Sequence, residues 1–300
     1  MVIVESLADL RRARAEMPSP LGLVPTMGFL HEGHLSLVRR ARADCGSVAV
    51  SIFVNPTQFG PGEDLERYPR DLERDLNLLR PIGVDLVWTP PPEEVYPAGY
   101  QTFATVEHVS RPLEGKARPT HFRGVATVVA KLFNLFEPQR AYFGQKDAQQ
   151  TIVVRRMARD LDFAVEVVVC PTVREADGLA MSSRNAYLTP AERSGASVLY
   201  RALGAAKEAL DRGEHDADIL RSVMSRTLAG ELMATEEYVS IAHPATLDEL
   251  ETIEGEALFS LAVRLGRTRL IDNFLLHKDE WSTGIFTDIR RRGAADAAGA

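Results

Sequence analysis

The stretch that most restricts how this chain can fold is a strand that runs directly into the start of a helix. Leu21-Gly22-Leu23-Val24 is an apolar run bounded by Pro20 and Pro25, the pattern of a short buried strand. Beyond it, Leu35, Leu37, Val38 and Ala41 recur among Arg39, Arg40 and Arg42, the spacing of an amphipathic helix. Between them lies Pro25-Thr26-Met27-Gly28-Phe29-Leu30-His31-Glu32-Gly33-His34. In an open parallel sheet such a strand-to-helix turn falls in the crevice where ligands bind.

The same alternation continues down the chain. Ser47 to Val54 is β-branched and nearly all apolar, as a central parallel strand requires. Val84 to Trp88, Ala141 to Phe143 and Ala164 to Cys170 predict further strands. Helices are predicted over Ser6 to Met17, Asp71 to Arg80 and Val125 to Phe136, and from the Gly144 turn to Leu161. Gln101 to Val106 alternates like a half-exposed strand. Thr189-Pro190-Ala191-Glu192 combines a capping box with proline at the first helical position and opens a long Ala-rich helix reaching Gly213. A helix over Ala217 to Leu228 follows, then strand-like runs at Tyr238 to Ile241, Leu258 to Val263 and Thr268 to Ile271. The expected fold class is α/β, a parallel sheet flanked by helices over residues 1–176. A smaller α+β C-terminal domain over 177–289 and a Gly/Ala-rich tail over 290–300, expected to be disordered, complete the chain.

Charge and cysteine usage narrow the partners. A net charge of −7 argues against a surface built to grip a nucleic-acid backbone. Cys45 and Cys170 form no motif, which suits a reducing compartment. No stretch approaches the ~20 apolar residues of a membrane helix, and Met1-Val2-Ile3-Val4 is followed at once by Glu5 and Ser6. A cytoplasmic protein with no nucleic-acid or membrane partner is expected.

Several turns carry candidate chemistry. A helix start offers backbone N–H groups and partial positive charge to a phosphate, and Gly28 and Gly33 admit close approach. His31 and His34, three residues apart, can face one pocket and stabilise developing charge; a turn with two solvated histidines is the competing reading. Zinc prefers i, i+4 spacing and a third ligand, so a metal pair is disfavoured. Asn55 and Gln58 either line the same sheet edge or are ordinary turn residues. The Gly/Pro-rich segment Pro61 to Arg70 suits a lid. Lys116, Arg118, His121 and Arg123 form a basic loop that meets an anion or faces solvent. Lys146 suits a phosphate and Asp147 a sugar hydroxyl, unless both merely cap a helix. Ser182-Ser183-Arg184 has the donor density of a phosphate clamp, though such strings are common in loops.

His31-Glu32-Gly33-His34, paired downstream with Met181-Ser182-Ser183-Arg184, resembles the HIGH and KMSKS-type pair of the nucleotidyltransferase superfamily. The longer strings Val24-Pro25-Thr26-Met27-Gly28, Phe53-Val54-Asn55-Pro56-Thr57-Gln58-Phe59, Phe143-Gly144-Gln145-Lys146-Asp147 and Met181-Ser182-Ser183-Arg184-Asn185 together resemble the pantothenate synthetase (pantoate–β-alanine ligase) family, from about Leu21 to Asn273. The resemblance implies a Rossmann-like N-terminal domain and a C-terminal domain that closes over ATP. It implies adenylation of pantoate by ATP with Mg²⁺, then attack by β-alanine, in a homodimer.

By the same resemblance, Met27, Gly28, His31, Gly33, His34, Gly144, Gln145, Lys146, Asp147, Val173, Met181, Ser182, Ser183 and Arg184 contact ATP. Pro25, Thr26, Gln58 and Gln150 contact the substrates. His34 is implied as proton donor, with His31, Lys146 and Arg184 in the catalytic set. Ser183-Arg184 stands where the superfamily motif has Lys-Ser, so one cation is supplied there. Asp71, Glu73 and Asp75 match no Mg²⁺ pattern, and no metal ligand is assigned. Rival readings are a nucleotidyltransferase acting on a phosphate-bearing precursor, a truncated aminoacyl-tRNA synthetase and a non-catalytic nucleotide sensor.

Overall fold

The computed structural model describes residues 1–287; the tail over 290–300 lies outside them. The chain divides into two compact units, Met1–Cys170 with Ala245–Leu247, and Pro171–Pro244 with the residues from Asp248 on. The division falls at Cys170, whereas the sequence reading changes domain at Asp177.

The first unit is built from β1 (Val2–Val4), α1 (Leu7–Ala15), β2 (Leu21–Thr26), α2 (Glu32–Asp44), β3 (Ser47–Ile52), α3 (Leu72–Leu79), β4 (Leu86–Trp88), α4 (Pro92–Val95), α5 (Glu114–Ala117), α6 (His121–Phe136), β5 (Arg140–Gly144), α7 (Ala148–Asp160) and β6 (Glu166–Cys170). Its six strands lie in the order β1-β4-β3-β2-β5-β6, and each neighbouring pair is parallel. Leu21, Leu23 and Val24 of β2 are fully buried, as a strand covered on both faces must be. Leu35, Leu37, Val38 and Ala41 of α2 pack against Val48, Val50, Val84 and Val87. From β2 the chain adds β3 and β4 on one side, then β5 and β6 on the other. The topological switch therefore lies between β2 and β5, the position at which open α/β sheets bind ligands.

Two sequence expectations fail in this unit. Residues 101–107 form no strand. The Ala104 amide donates to Thr127 Oγ1 at 3.0 Å, and the Arg123 guanidinium lies 3.7 Å over the Phe103 ring. Backbone and apolar face are thus satisfied by α6 in place of a neighbouring strand. The basic loop is also not a loop, because α6 begins at His121, not Val125, and Lys116 lies in α5. Arg118 is ion-paired to Glu63.

The second unit contains β7 (Val173–Arg174), α8 (Pro190–Gly195), α9 (Val198–Asp211), α10 (Ala217–Ala229), β8 (Ala234–Ala242), β9 (Ala257–Leu265), β10 (Thr268–His277), β11 (Glu280–Ser282) and β12 (Ile285–Phe286). An antiparallel sheet in the order β11-β10-β9-β8 shares a core with α9 and α10 through Leu199, Leu203, Leu220, Met224, Phe259 and Phe274. The Thr189–Glu192 capping box is present. The single long helix expected after it is broken at Ala196 and Ser197, where Ser194-Gly195 lowers helix propensity by ~1 kcal/mol at the glycine.

A buried ion pair ties β7 to β10. Arg174 Nη1 and Nη2 donate to Asp272 Oδ2 and Oδ1 at 2.6 and 2.9 Å. The same guanidinium donates to the carbonyls of Gly178, Asn273 and Thr283 and lies over the rings of Tyr200 and Phe274 at 4.9 and 5.2 Å. Among the described residues no helix is long and apolar enough to cross a membrane.

Candidate functional site

Three adjacent strands of the first unit, β3, β2 and β5, end on one edge. At the end of β2 and beyond it lie Pro25 to His34, past β3 lies Gln58, and at the end of β5 and beyond it lie Gly144 to Gln150. The expected residues Pro25, Thr26, Met27, Gly28, His31, Gly33, His34, Gln58, Gly144, Gln145, Lys146, Asp147 and Gln150 are thus gathered at the switch point. Val173 and Met181 to Arg184 belong to the second unit. There the Met181 amide donates to the Val173 carbonyl at 2.9 Å, and Ser182 Oγ accepts from the Arg184 amide at the head of a short 3₁₀ turn, Ser183–Tyr187.

The two histidines cap α2 reciprocally. His31, the N-cap, accepts at Nδ1 from the Gly33 amide at 3.1 Å, and the His31 amide donates to His34 Nδ1 at 3.4 Å. With Nδ1 an acceptor in each ring, each neutral imidazole carries its proton on Nε2. The ring centroids are 4.1 Å apart. Burial, reinforced by His34, Lys146 and Arg74, lowers the His31 pKa to about 2. Burial also lowers His34 to about 4, with Lys146 acting the same way and Asp147 opposing. Both rings are therefore neutral hydrogen-bond donors near neutral pH.

The backbone of this turn differs from the expected open phosphate cradle. The Gly28 amide donates to Thr26 Oγ1 at 3.2 Å, and Thr26 Oγ1 donates to the Ser51 carbonyl. The Phe29 and Leu30 amides donate to the two carboxylate oxygens of Asp75, each at 2.7 Å. With the His31 and Gly33 amides taken by ring nitrogens, most of the donors a phosphate was expected to use already have internal partners. The sequence signal for Asp75 is a polar residue beside the apolar stripe Leu72, Leu76, Leu79 of α3, a pattern that points to a buried partner.

Gln58 is buried and oriented by a network that sequence reasoning missed. Tyr96 Oη and Thr57 Oγ1 each donate to Asn55 Oδ1 at 2.9 Å, and Asn55 Nδ2 donates to Gln58 Oε1 at 2.8 Å. The Gln58 carbonyl is thereby engaged and its amide N–H groups are left as the donating end. Asn55, read from the sequence either as lining this edge or as an ordinary turn residue, is 1% exposed and supports the Gln58 side chain. Gly124 of α6 lets the helix meet this turn, since a Cβ there would lie 2.3 Å from the Thr57 carbonyl oxygen. Gly124→Ala should therefore push α6 off the turn and lower stability by about 1–3 kcal/mol. Chemical denaturation checks this, and an unchanged midpoint would show the helix yields freely.

Lys146 Nζ lies 3.5 Å from Asp147 Oδ1, and both reach His34 electrostatically. No group of three or more His, Cys, Asp or Glu side chains able to hold a metal occurs among the described residues. That donor set still fits a Mg²⁺ ion bound mainly by substrate phosphates and water, for which one carboxylate is enough; the half-exposed Asp147 is such a group.

Comparison with known proteins gives a consistent result. The sequence model of the family described as pantoate-beta-alanine ligase matches residues 2–275. A pantothenate synthetase from Chloroflexus aggregans is 61% identical over 277 residues, covering 92% of this chain and all of that protein. The crystal structure of pantothenate synthetase from Thermus thermophilus superposes with a TM-score of 0.88 at 52% identity, over 91% of this chain and 98% of that one. A pantoate-beta-alanine ligase from Francisella tularensis, solved with beta-gamma ATP and beta-alanine, has a TM-score of 0.76 at 33% identity over 92% and 97% of the two chains.

Proposed function

Because this chain belongs to the pantoate–β-alanine ligase family, we propose that it joins pantoate to β-alanine in two steps through a pantoyl-adenylate. In the first, a pantoate carboxylate oxygen attacks the α-phosphorus of ATP and pyrophosphate leaves. In the second, the β-alanine amine attacks the acyl carbon, AMP leaves, and the amine gives up a proton as the amide of pantothenate forms. Free carboxylate is a poor electrophile because oxide would have to depart. Adenylation replaces that leaving group with a phosphate ester.

The observation that carries this reading is the reciprocal histidine cap, which presents two neutral Nε2–H donors at the switch point beside Lys146. Donors held rigidly before the reaction stabilise charge shifting onto phosphate oxygens without reorganising. On this reading His34 gives a hydrogen bond, not a proton. Lys146 faces the departing pyrophosphate as a mobile point charge. The N–H groups of Gln58 hold the pantoate carboxylate, and Gln150, in the first turn of α7, holds its hydroxyls; Pro25 and Thr26 line the same edge. Met27, Gly28, Gly33, Gly144 and Gln145 border the nucleotide. Val173, Met181, Ser182, Ser183 and Arg184 are assigned to ATP by their motif. Mg²⁺ enters with ATP, where Asp147 would hold it and it would offset charge on the phosphates. The homodimer implied by the resemblance is part of the same proposal.

Isotope exchange tests the order of events. With pantoate and ATP but no β-alanine, labelled pyrophosphate should pass into ATP, and omitting pantoate should stop it. Exchange that needs β-alanine would replace the two-step route with a concerted one. Exchange driven by an amino acid and indifferent to pantoate would point to a synthetase-like activity.

A further inference from the structure

We infer that Asp75 is a positioning residue that sets the histidine donors by holding the Phe29–Leu30 turn; the catalytic part of this inference rests on the function proposed above. Gly28 and Phe29 are consecutive residues with positive φ, 83° and 49°. For phenylalanine this conformation is strained and persists only where its surroundings impose it. The constraint is the Asp75 carboxylate. Its two oxygens each take one amide, from Phe29 and from Leu30, at 2.7 Å. Successive amides converging on one anion form a nest, and here the anion is the protein's own side chain.

The neighbours of the nest reinforce the assignment. Arg74 Nη1 lies 3.6 Å from Asp75 Oδ1, and the Arg74 guanidinium sits 5.1 Å over the Phe29 ring, so Phe29 is held from both its backbone and its ring. A Cβ on Gly28 would stand 3.2 Å from Asp75 Oδ2 and 3.0 Å from Ile52 Cγ2; the turn is packed closely onto the carboxylate. Asp75 itself is 1% exposed. The residue after Leu30 is His31, the N-cap, whose amide fixes the tautomer of His34. Movement of Phe29 and Leu30 therefore displaces both imidazoles. Because α3 directly follows the Pro61 to Arg70 segment, the carboxylate also links that segment to the donors.

Asp75→Asn is nearly isosteric but turns one acceptor toward an N–H into a donor. Long-range ¹H–¹⁵N spectra of the histidine rings should show Nε2–H tautomers for His31 and His34 in the wild type and mixed or shifted tautomers in the variant. Pyrophosphate exchange should slow about ten- to a hundredfold, the effect of misplacing a reacting group by about 1 Å, with little change in KM for pantoate. In an His34→Ala background the same substitution should slow exchange by a smaller factor than in the wild type, because one of the two donors it positions is already absent. Unchanged ring spectra, or full additivity with His34→Ala, would overturn the inference. Should Asp75→Asn not fold, Asp75→Glu decides, since it keeps the charge and displaces the carboxylate from the Phe29 and Leu30 amides. Altered histidine resonances support the role, and unaltered ones reject it. The ring spectra need no turnover, so a failure of the ligase reading would appear as absent exchange in a wild type whose histidines still respond to Asp75.

Discussion

Replacing His34 with alanine is expected to slow pantothenate formation by about two to three orders of magnitude, the usual loss when one preorganised donor is removed. The fold should persist. Among the described residues the backbone bond lost is the long one from the His31 amide, 3.4 Å, so the stability change should be within the ~1 kcal/mol of an ordinary helix cap. The dependence on pH separates a hydrogen-bond donor from an acid. Burial brings the His34 pKa to about 4 from its usual 6.5, so the ring stays neutral from pH 6 to 9 and the ratio of wild-type to variant turnover should be constant there. An imidazolium donor would make that ratio fall as pH rises. The stability linkage has the opposite direction: unfolding restores the higher pKa, so the unfolded chain binds the extra proton between about pH 6.5 and 4. Wild-type stability therefore declines through that window, and His34→Ala should decline less steeply. Release of AMP measured at pH 6, 7 and 8 is the check, and near-normal turnover in a folded variant would falsify the role.

Asp272→Ala should be the most damaging single change to the second unit, at about 3–5 kcal/mol. Arg174 and Asp272 are 0% and 1% exposed at their side chains. Removing the carboxylate leaves a guanidinium with carbonyl partners and two aromatic faces but no countercharge, away from water. The loss comes from stranding a charge more than from the attraction between the pair. A double replacement by apolar residues of similar volume, Arg174→Met with Asp272→Leu, should therefore recover much of the stability. Urea unfolding of the three proteins measures both effects. A loss below about 1 kcal/mol for Asp272→Ala would mean the site admits water or a substitute anion.

What can be read from the residues is whatever is written locally. The β2–α2 turn, the apolar β3 and the Thr189–Glu192 cap each carry their pattern within one stretch, and the residues from Pro25 to Gln150 expected at the site do meet at one sheet edge. Patterns completed by distant residues are not legible. Gln101 to Val106 does alternate, yet its partner is the flank of α6, and alternation does not say what a chain pairs with. Arg174 and Asp272 are far apart in sequence and neither sits in a motif. Asp75 enters the sequence reading only as one of three acidic residues that match no Mg²⁺ pattern, because nothing near it names the Phe29 and Leu30 amides. Likewise, Gln58 stands out as a site residue, but the direction of its amide depends on Asn55 and Tyr96.

The strand order also dictates a timetable for synthesis. Val2 of β1 pairs with Leu86 of β4, so β1 waits for more than eighty further residues before its partner exists. At ~5–20 residues per second that is several seconds with three apolar side chains and an unpaired edge. β2 and β3, by contrast, pair across a single helix, as Leu21 with Ser47, and are the first to be available together. The other flank of β2 stays open until Arg140 and Ala141 are made. The sheet thus grows outward from β2 and β3, and the nascent chain completes its histidine turn well before the strand that brings Lys146 beside it.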